Sequence, residues 1–455
     1  MKKSLIIIIL IFSGTIVFAQ HEHHMMMDSM AKKKDTVPVN NSMGDMKMNH
    51  SMNMMPSMPS HAYSRNLPMS RNGSGTGWNP DASPMYMWMK STRNTDWMFH
   101  GNIFLRYTKQ DIFNAGSRGA NKIDAPNWFM AMMNRKIGEK GLLNATAMIS
   151  LDRITEGGNG YPLLFQSGET WKGQPLVDRQ HPHDLFSAVS IGYTQMLSKD
   201  VDMFAYVGYP GEPALGATTF MHRVSSMNNP DAPLGHHWQD ATHITFGVAT
   251  LGLRYKNFKV EGSAFTGREP DENRYDFDKP RFNSYSYRLS FDPTENWALQ
   301  FSQGFIKAPE ILEPGIDVTR TTASVLYAKK LNMDGHISAA AIWGLNDKGF
   351  DHKENSFLLE GNYLFIKNAI YGRYEYVQKS EEELDLDARL YHGLFNIHAL
   401  TAGYSRNLLN LNRIDLNAGT QFTLYGVDKS LQTLYGKTPI SYELYLQLRP
   451  SLHKH

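Results

Sequence analysis

From about residue 97 to 450 the chain divides into about sixteen stretches of alternating apolar and polar residues, and the links between them run long, short, long, short without exception. The stretches centre near Ile103, Met132, Thr146, Val189, Ala205, Val248, Gly262, Tyr287, Phe301, Val325, Ala340, Leu359, Tyr374, Ala399, Asn417 and Tyr445. In one of them Tyr285, Tyr287, Leu289 and Phe291 alternate with Ser284, Ser286, Arg288 and Ser290, the pattern of a strand with one apolar and one polar face. A soluble sandwich and a membrane barrel both satisfy that alternation. The links separate the two. The first, third and fifth cover residues 109–125, 156–180 and 210–242, whereas the second, fourth and sixth are the few residues at 138–141, at 198–200 and around Asn257. Greek-key connections give no reason for such parity, but a membrane barrel does, because its turns are short at one end and its loops long at the other. The expected fold is all-β: an antiparallel transmembrane β-barrel of about 16 strands over residues 97–450. Trp97, Trp128, Tyr255, Tyr285, Trp297, Tyr404 and Tyr445 are expected in its aromatic girdles. Arg288, Glu360, Arg373, Glu375, Asp415 and Arg449 are expected on its inner wall.

The N-terminus agrees with export. Lys2 and Lys3 precede an apolar run from Leu5 to Phe18, and Val17-Phe18-Ala19 ahead of Gln20 supplies the small-residue cleavage pattern of a signal peptide over residues 1–19. No later run reaches the ~18 apolar residues of a membrane helix. The mean hydropathy of −0.43 fits that absence. A formal charge of +2 on 455 residues gives no electrostatic basis for binding nucleic acid. The chain has no cysteine, which excludes disulfides and thiolate ligands, so soft-metal chemistry falls to methionine and histidine.

Residues 20–83 show no sustained period and read as a disordered tail. Eleven methionines lie between Met25 and Met58. The candidate metal ligands there are His21, His23, His24, Met25, Met26, Met27, Met43, Met46, Met48, His50, Met52, Met54, Met55 and Met58. Thioether sulfur and imidazole suit Cu(I), and silver follows the same logic. Exposed methionine in an exported tail has no packing role and is open to oxidation, which favours a ligand role over tolerance.

A second concentration lies between Asp178 and Thr250, where six of the 18 histidines fall: His181, His183, His222, His236, His237 and His243. The barrel topology puts them in or beside the second and third long links, which a single hairpin joins, so up to six imidazoles and the carboxylates of Asp184 and Asp240 are expected at one rim. The competing reading has these histidines bonding loop backbone and packing the loops into the lumen. His100 falls on the polar face of the first strand and is expected in the lumen. No nucleophile elbow, His-Glu-x-x-His or phosphate-binding loop is present, and the chain is expected not to be an enzyme.

A tail such as Met43-Gly44-Asp45-Met46-Lys47-Met48-Asn49-His50-Ser51-Met52 followed by a β-barrel resembles the copper-resistance outer-membrane proteins of the CopB/PcoB type. The resemblance implies copper binding on the periplasmic side and a part in copper sequestration or efflux. It also implies an outer-membrane location with the tail in the periplasm, surrounding outer-membrane lipid, and a periplasmic copper carrier or efflux component as partner. Two other functions fit the same barrel. One is a general porin with an incidental tail; the other is a barrel lipid hydrolase using Ser187 or Ser190 near His183.

Overall fold

In the computed structural model, which describes residues 59–349 and 352–453, sixteen long antiparallel strands close into a barrel. In chain order they are β1 Thr95–Lys109, β2 Asn127–Ile137, β3 Gly141–Ile149, β4 Phe186–Met196, β5 Val201–Gly208, β6 Val248–Tyr255, β7 Phe258–Phe265 and β8 Ser284–Thr294. The second half comprises β9 Trp297–Ile306, β10 Val318–Asn332, β11 Gly335–Asp347, β12 Lys353–Phe365, β13 Asn368–Lys379, β14 Phe395–Leu411, β15 Ile414–Gly426 and β16 Ile440–Pro450. Each pairs with its neighbour in sequence, and β16 closes on β1 with Tyr442 opposite Lys109 and Leu448 opposite Ile103. All sixteen expected strand centres fall inside these strands. The two corners left open on β1 are filled by short strands, Asn121–Asp124 against its end and Trp88–Ser91 against its start.

The alternation divides the wall as the sequence predicts. Tyr285, Tyr287, Leu289 and Phe291 are exposed on the outside, whereas Ser284, Ser286, Arg288 and Ser290 are buried inside. An outer face of this kind, repeated on every strand, is stable only against lipid. Trp97, Tyr255, Tyr285, Trp297 and Tyr404 lie on that face. Trp128 and Tyr445 do not. Trp128 shares parity with the inward Asn134 and packs on His222, and the buried Tyr445 donates to the Asn228 carbonyl (2.7 Å).

The tail boundary also needs correction, because residues 59–83 are ordered and largely buried at the short-turn end of the barrel. Arg71 pairs with Asp81 (2.6 Å) and Asp292 (3.3 Å), Ser64 donates to Asp202 (2.5 Å), and Ser74 donates to Glu212 (3.0 Å). Arg65 bonds the carbonyls of Gly138 and Glu139 in the first short turn. The C-terminal residues meet the same end, where the His453 amide donates to the Met85 carbonyl (2.8 Å). The expected ligands from His21 to Met58 lie outside the described residues.

The third long link turns inward and fills the lumen. Its base is closed by a reciprocal backbone pair, Gly211 with Thr245, at 2.9 Å each way. Its polar groups then bond the wall on several sides. Ala214 takes Ser263 (2.7 Å) on β7, Gly216 takes Ser302 (2.9 Å) on β9, Asn228 takes Asn362 (2.7 Å) on β12, and Leu234 takes Glu375 (2.6 Å) on β13. Arg106 on β1 pairs with Asp231 (2.6 Å), and Arg223 spans Asp240 and Glu360 at 2.8 Å each. Leu234 and Trp238 complete an apolar cluster with Phe165, Val377 and Ile397. The expected inner-wall charges Arg288, Glu360, Arg373 and Glu375 are all buried inside.

Candidate metal centre

Five of the six expected histidines meet where the second and third long links touch inside the barrel. The second link first forms a hairpin, Tyr161–Trp171 with Gln174–Gln180, which the sequence did not suggest. Its return strand ends at Gln180, and His181-Pro182-His183 follows at once, with the proline holding the backbone extended. In the third link a one-turn helix, His236–Gln239, carries His236 and His237, and the next turn, Ala241–His243, carries His243.

The rings form a closed circuit. Centroid separations are 5.4 Å for His181–His237, 5.3 Å for His237–His236, 5.1 Å for His236–His243, 5.5 Å for His243–His183 and 6.2 Å for His183–His181. His181, His236 and His237 each present a nitrogen such that all three lie within 4.8 Å of one another, the spacing of a three-imidazole metal site.

Each ring is also oriented by an oxygen. His236 Nδ1 meets Asp240 at 2.5 Å, His183 Nδ1 meets Asp152 at 2.7 Å, His181 Nε2 meets Glu169 at 3.2 Å and His237 Nδ1 meets Glu269 at 3.4 Å. His243 Nδ1 donates to the Asp240 carbonyl at 3.0 Å. Carboxylates or carbonyls behind imidazoles are the usual outer layer of a metal site, since they fix the tautomer and leave the opposite nitrogen free. That opposite nitrogen is buried and has no partner among the described residues in His183, His237 and His243. An unmet buried polar atom costs about 1–3 kcal/mol, so three in one place call for a ligand.

At three of the rings the electrostatics favour the neutral, ligand-ready form. Burial, then repulsion from His237 and His236, pushes His181 well below the usual imidazole range. Burial likewise lowers His243, and it lowers His236 against the pull of Asp240. Burial alone would raise Asp240 and Glu269, but His236 and Arg223 hold the first carboxyl below its ordinary range and His237 holds the second. Four imidazoles and one backbone-anchored fifth, with carboxylates behind them, suit copper or zinc.

Two expectations fail at this centre. His222 leaves the group and packs against His100 (5.7 Å) and Trp128 (4.9 Å), because its 3-10 turn, Phe220–His222, faces the first strands. Asp184 turns to Arg274 (3.2 Å) and touches no imidazole. Ser187 donates to the Asp184 carbonyl (3.0 Å), and the Nδ1 of His183 is held by Asp152, so these contacts build no Ser-His pair. Glu169, Glu269 and Asp152 were missed; each lies 12 to 32 positions from its histidine with no local pattern joining them.

Gly168 has a similar hidden role. Its φ is +108°, and a Cβ there would stand 2.4 Å from the His237 ring. A Gly168→Ala substitution is expected to push His237 off Glu269 and to lower the urea midpoint of the detergent-folded protein by the equivalent of about 1–3 kcal/mol. An unchanged midpoint would show that the ring is free to move.

Neither a protein-family model nor a curated protein matches this sequence. Among solved structures the chain is similar to Salmonella typhi OmpF in complex with daunomycin, at 8% identity and a TM-score of 0.49 over 80% of this chain and 100% of that one. It is also similar to an anion-selective porin from Comamonas acidovorans, at 9% identity and a TM-score of 0.46 over 78% and 99% of the two chains. A third similar structure is the outer-membrane channel DcaP of Acinetobacter baumannii, at 10% identity and a TM-score of 0.41 over 79% and 98%.

Proposed function

We propose that this protein is an outer-membrane barrel that handles copper, collecting Cu(I) on its Met/His-rich N-terminal stretch and holding metal at the five-histidine centre in its lumen. The observation that carries the reading is the circuit of buried imidazoles, each braced by an oxygen, with three ring nitrogens left unpaired. A structural role for these histidines would have used those nitrogens in hydrogen bonds. The methionines and histidines from His21 to Met58 adjoin Pro59 in sequence, and the ordered chain that follows lies at the short-turn end. Several weak sites on one segment raise the local concentration of metal available to the chain. This is the behaviour expected of a protein of the CopB/PcoB type, with a periplasmic copper carrier or efflux component supplying the metal.

A porin needs an open lumen, and here the third link crosses it with bonds to strands on several sides. The deciding measurement is copper binding to the full mature chain folded in detergent, by equilibrium dialysis. It should be made beside a His181→Ala/His236→Ala/His237→Ala variant and a variant lacking residues 20–58. The triple variant is expected to lose at least one bound equivalent that the shortened chain keeps. Equal binding by the triple variant and wild type would remove the centre from the proposal; no binding by the intact chain would sink the copper reading and leave a plugged porin.

A further inference from the structure

Between the ordered N-terminal segment and the histidine centre lies a cavity of about 130 Å³ whose lining differs from the rest of the lumen. Much of the inner wall elsewhere carries serine, threonine, arginine and glutamate; here the lining is rich in methionine. Of the fourteen methionines after residue 58, eight line this one cavity. Barrel register explains how the wall supplies its share. His100 and Met98 on β1 face inward and stand directly across from Met130 and Met132 on β2, and Met130 in turn stands across from Met148 on β3. The inward-turned link adds Met221 and His222.

At the middle of this patch His100 Nε2 lies 3.0 Å from the Met130 sulfur. The His222 ring is 5.7 Å from that of His100, and Trp128 stands against both, 5.3 Å from His100 and 4.9 Å from His222. A thioether is a weak hydrogen-bond acceptor, so a buried imidazole facing sulfur makes poor use of its proton. A soft cation in place of that proton would bind both atoms well.

Charge selects the valence. Among the described residues no aspartate or glutamate lines the cavity, whereas Arg223 and Arg449 do. A divalent ion would meet neutral ligands and nearby positive charge, a poor setting; a monovalent soft ion asks for neutral sulfur and nitrogen. The histidine centre is the opposite case, with carboxylates behind its rings. The cavity also leads there. A smaller space next to it shares Met130, Met132, Met221 and His222 with it and is lined on its far side by His243.

We infer that His100, Met130 and His222, with Met98, Met132 and Met221 around them, form a second metal site in the lumen, selective for a monovalent soft cation of the Cu(I) class and placed between the short-turn mouth and the five-histidine centre. Its purpose as a stage in metal passage rests on the copper-handling reading; its ligand chemistry does not.

The test uses Ag(I), a redox-inert soft probe, on the full mature chain folded in detergent with its methionine methyls labelled with ¹³C. Ag(I) is expected to shift the methyl signals of Met130 and Met98, assigned through Met→Leu variants, and Zn(II) at the same concentration is expected to leave them in place. Met130→Leu keeps side-chain volume and removes the sulfur. It and His222→Leu are each expected to weaken Ag(I) at the remaining lumen methyls at least tenfold, with the barrel's resistance to heat in detergent confirming the fold. Lumen methyls that stay still while those before residue 58 move would overturn the site and leave the copper-handling reading standing. Lumen shifts that persist unweakened in both variants would also overturn it. Loss of the copper-handling reading looks different: copper fails to bind the five-histidine centre, whatever Ag(I) does here.

Discussion

Arg223→Met is expected to lower the stability of the plugged barrel by about 3–5 kcal/mol, the cost of removing one partner from a buried ion pair. Arg223 is buried and spans two carboxylates, Asp240 in the link and Glu360 on β12, at 2.8 Å each. Glu360 keeps a second partner in Arg373 at 3.1 Å, but Asp240 keeps only His236 and the Phe220 amide. The damage should therefore reach the five-histidine centre. An Asp240 carboxylate without its guanidinium rises toward protonation and loses its grip on His236, and loss of such an orienting partner typically costs 10–100-fold in metal affinity. Urea unfolding in detergent and copper dialysis on the same sample measure both effects. Adding Glu360→Gln should restore part of the stability and none of the affinity. A wild-type midpoint in the single variant would mean that water reaches these carboxylates and that the lumen is wet.

Acid is expected to loosen the link in the metal-free protein, beginning near pH 6.5 and deepening as the pH falls. His181, His236 and His243 all have their pKa lowered by burial. Below the ordinary imidazole value near 6.5 the released link, together with His181 of the second link that its release uncovers, binds protons that the docked state does not, so docking is at full strength above that pH and weakens beneath it. Each such group contributes about 1.4 kcal/mol per pH unit, and three together about 4 kcal/mol per unit until the docked rings themselves protonate. Hydrogen exchange of the amides from Phe220 to His243, followed between pH 7.5 and 5.5, reads this directly; the barrel strands serve as the internal control. Bound metal should move the transition to lower pH because protons must then displace it. Exchange that is flat across this window would place the imidazoles in contact with solvent.

The strands were legible because two separate signals agreed: the period of two, and the parity of the links. Even the inward turn of Trp128 was readable, since it shares parity with Met130 and Met132, which face the lumen; treating every aromatic near a strand end as a girdle residue hid it. The order of residues 59–83 was not readable. That stretch has no period, and its partners are as remote as Asp202 for Ser64 and Asp292 for Arg71. The histidine centre was half legible. Clustering in sequence identified the five rings and Asp240, but Glu169 and Asp152 lie 12 and 31 positions from their histidines and Glu269 comes from another link, and nothing near His222 signalled that its turn faces β1. The methionine cavity was invisible for the same reason: its residues are spread from the ordered N-terminal segment to the third link, and only the register between β1 and β2 sets Met130 opposite His100.

The polar inner wall has a consequence for how the molecule divides its stability. Many of the groups that hold the link are serine, asparagine, arginine and glutamate, so a link that withdraws hands each of these to water. What resists withdrawal is concentrated in the patch where Leu234 and Trp238 meet Phe165, Val377 and Ile397, and in the ion pairs around Arg223 and Arg106. The strand ladder and the lipid-facing surface are untouched by that event. One chain thus contains two cooperative units of different kinds, a shell that persists as long as lipid surrounds it and an insert whose docking a few side chains decide.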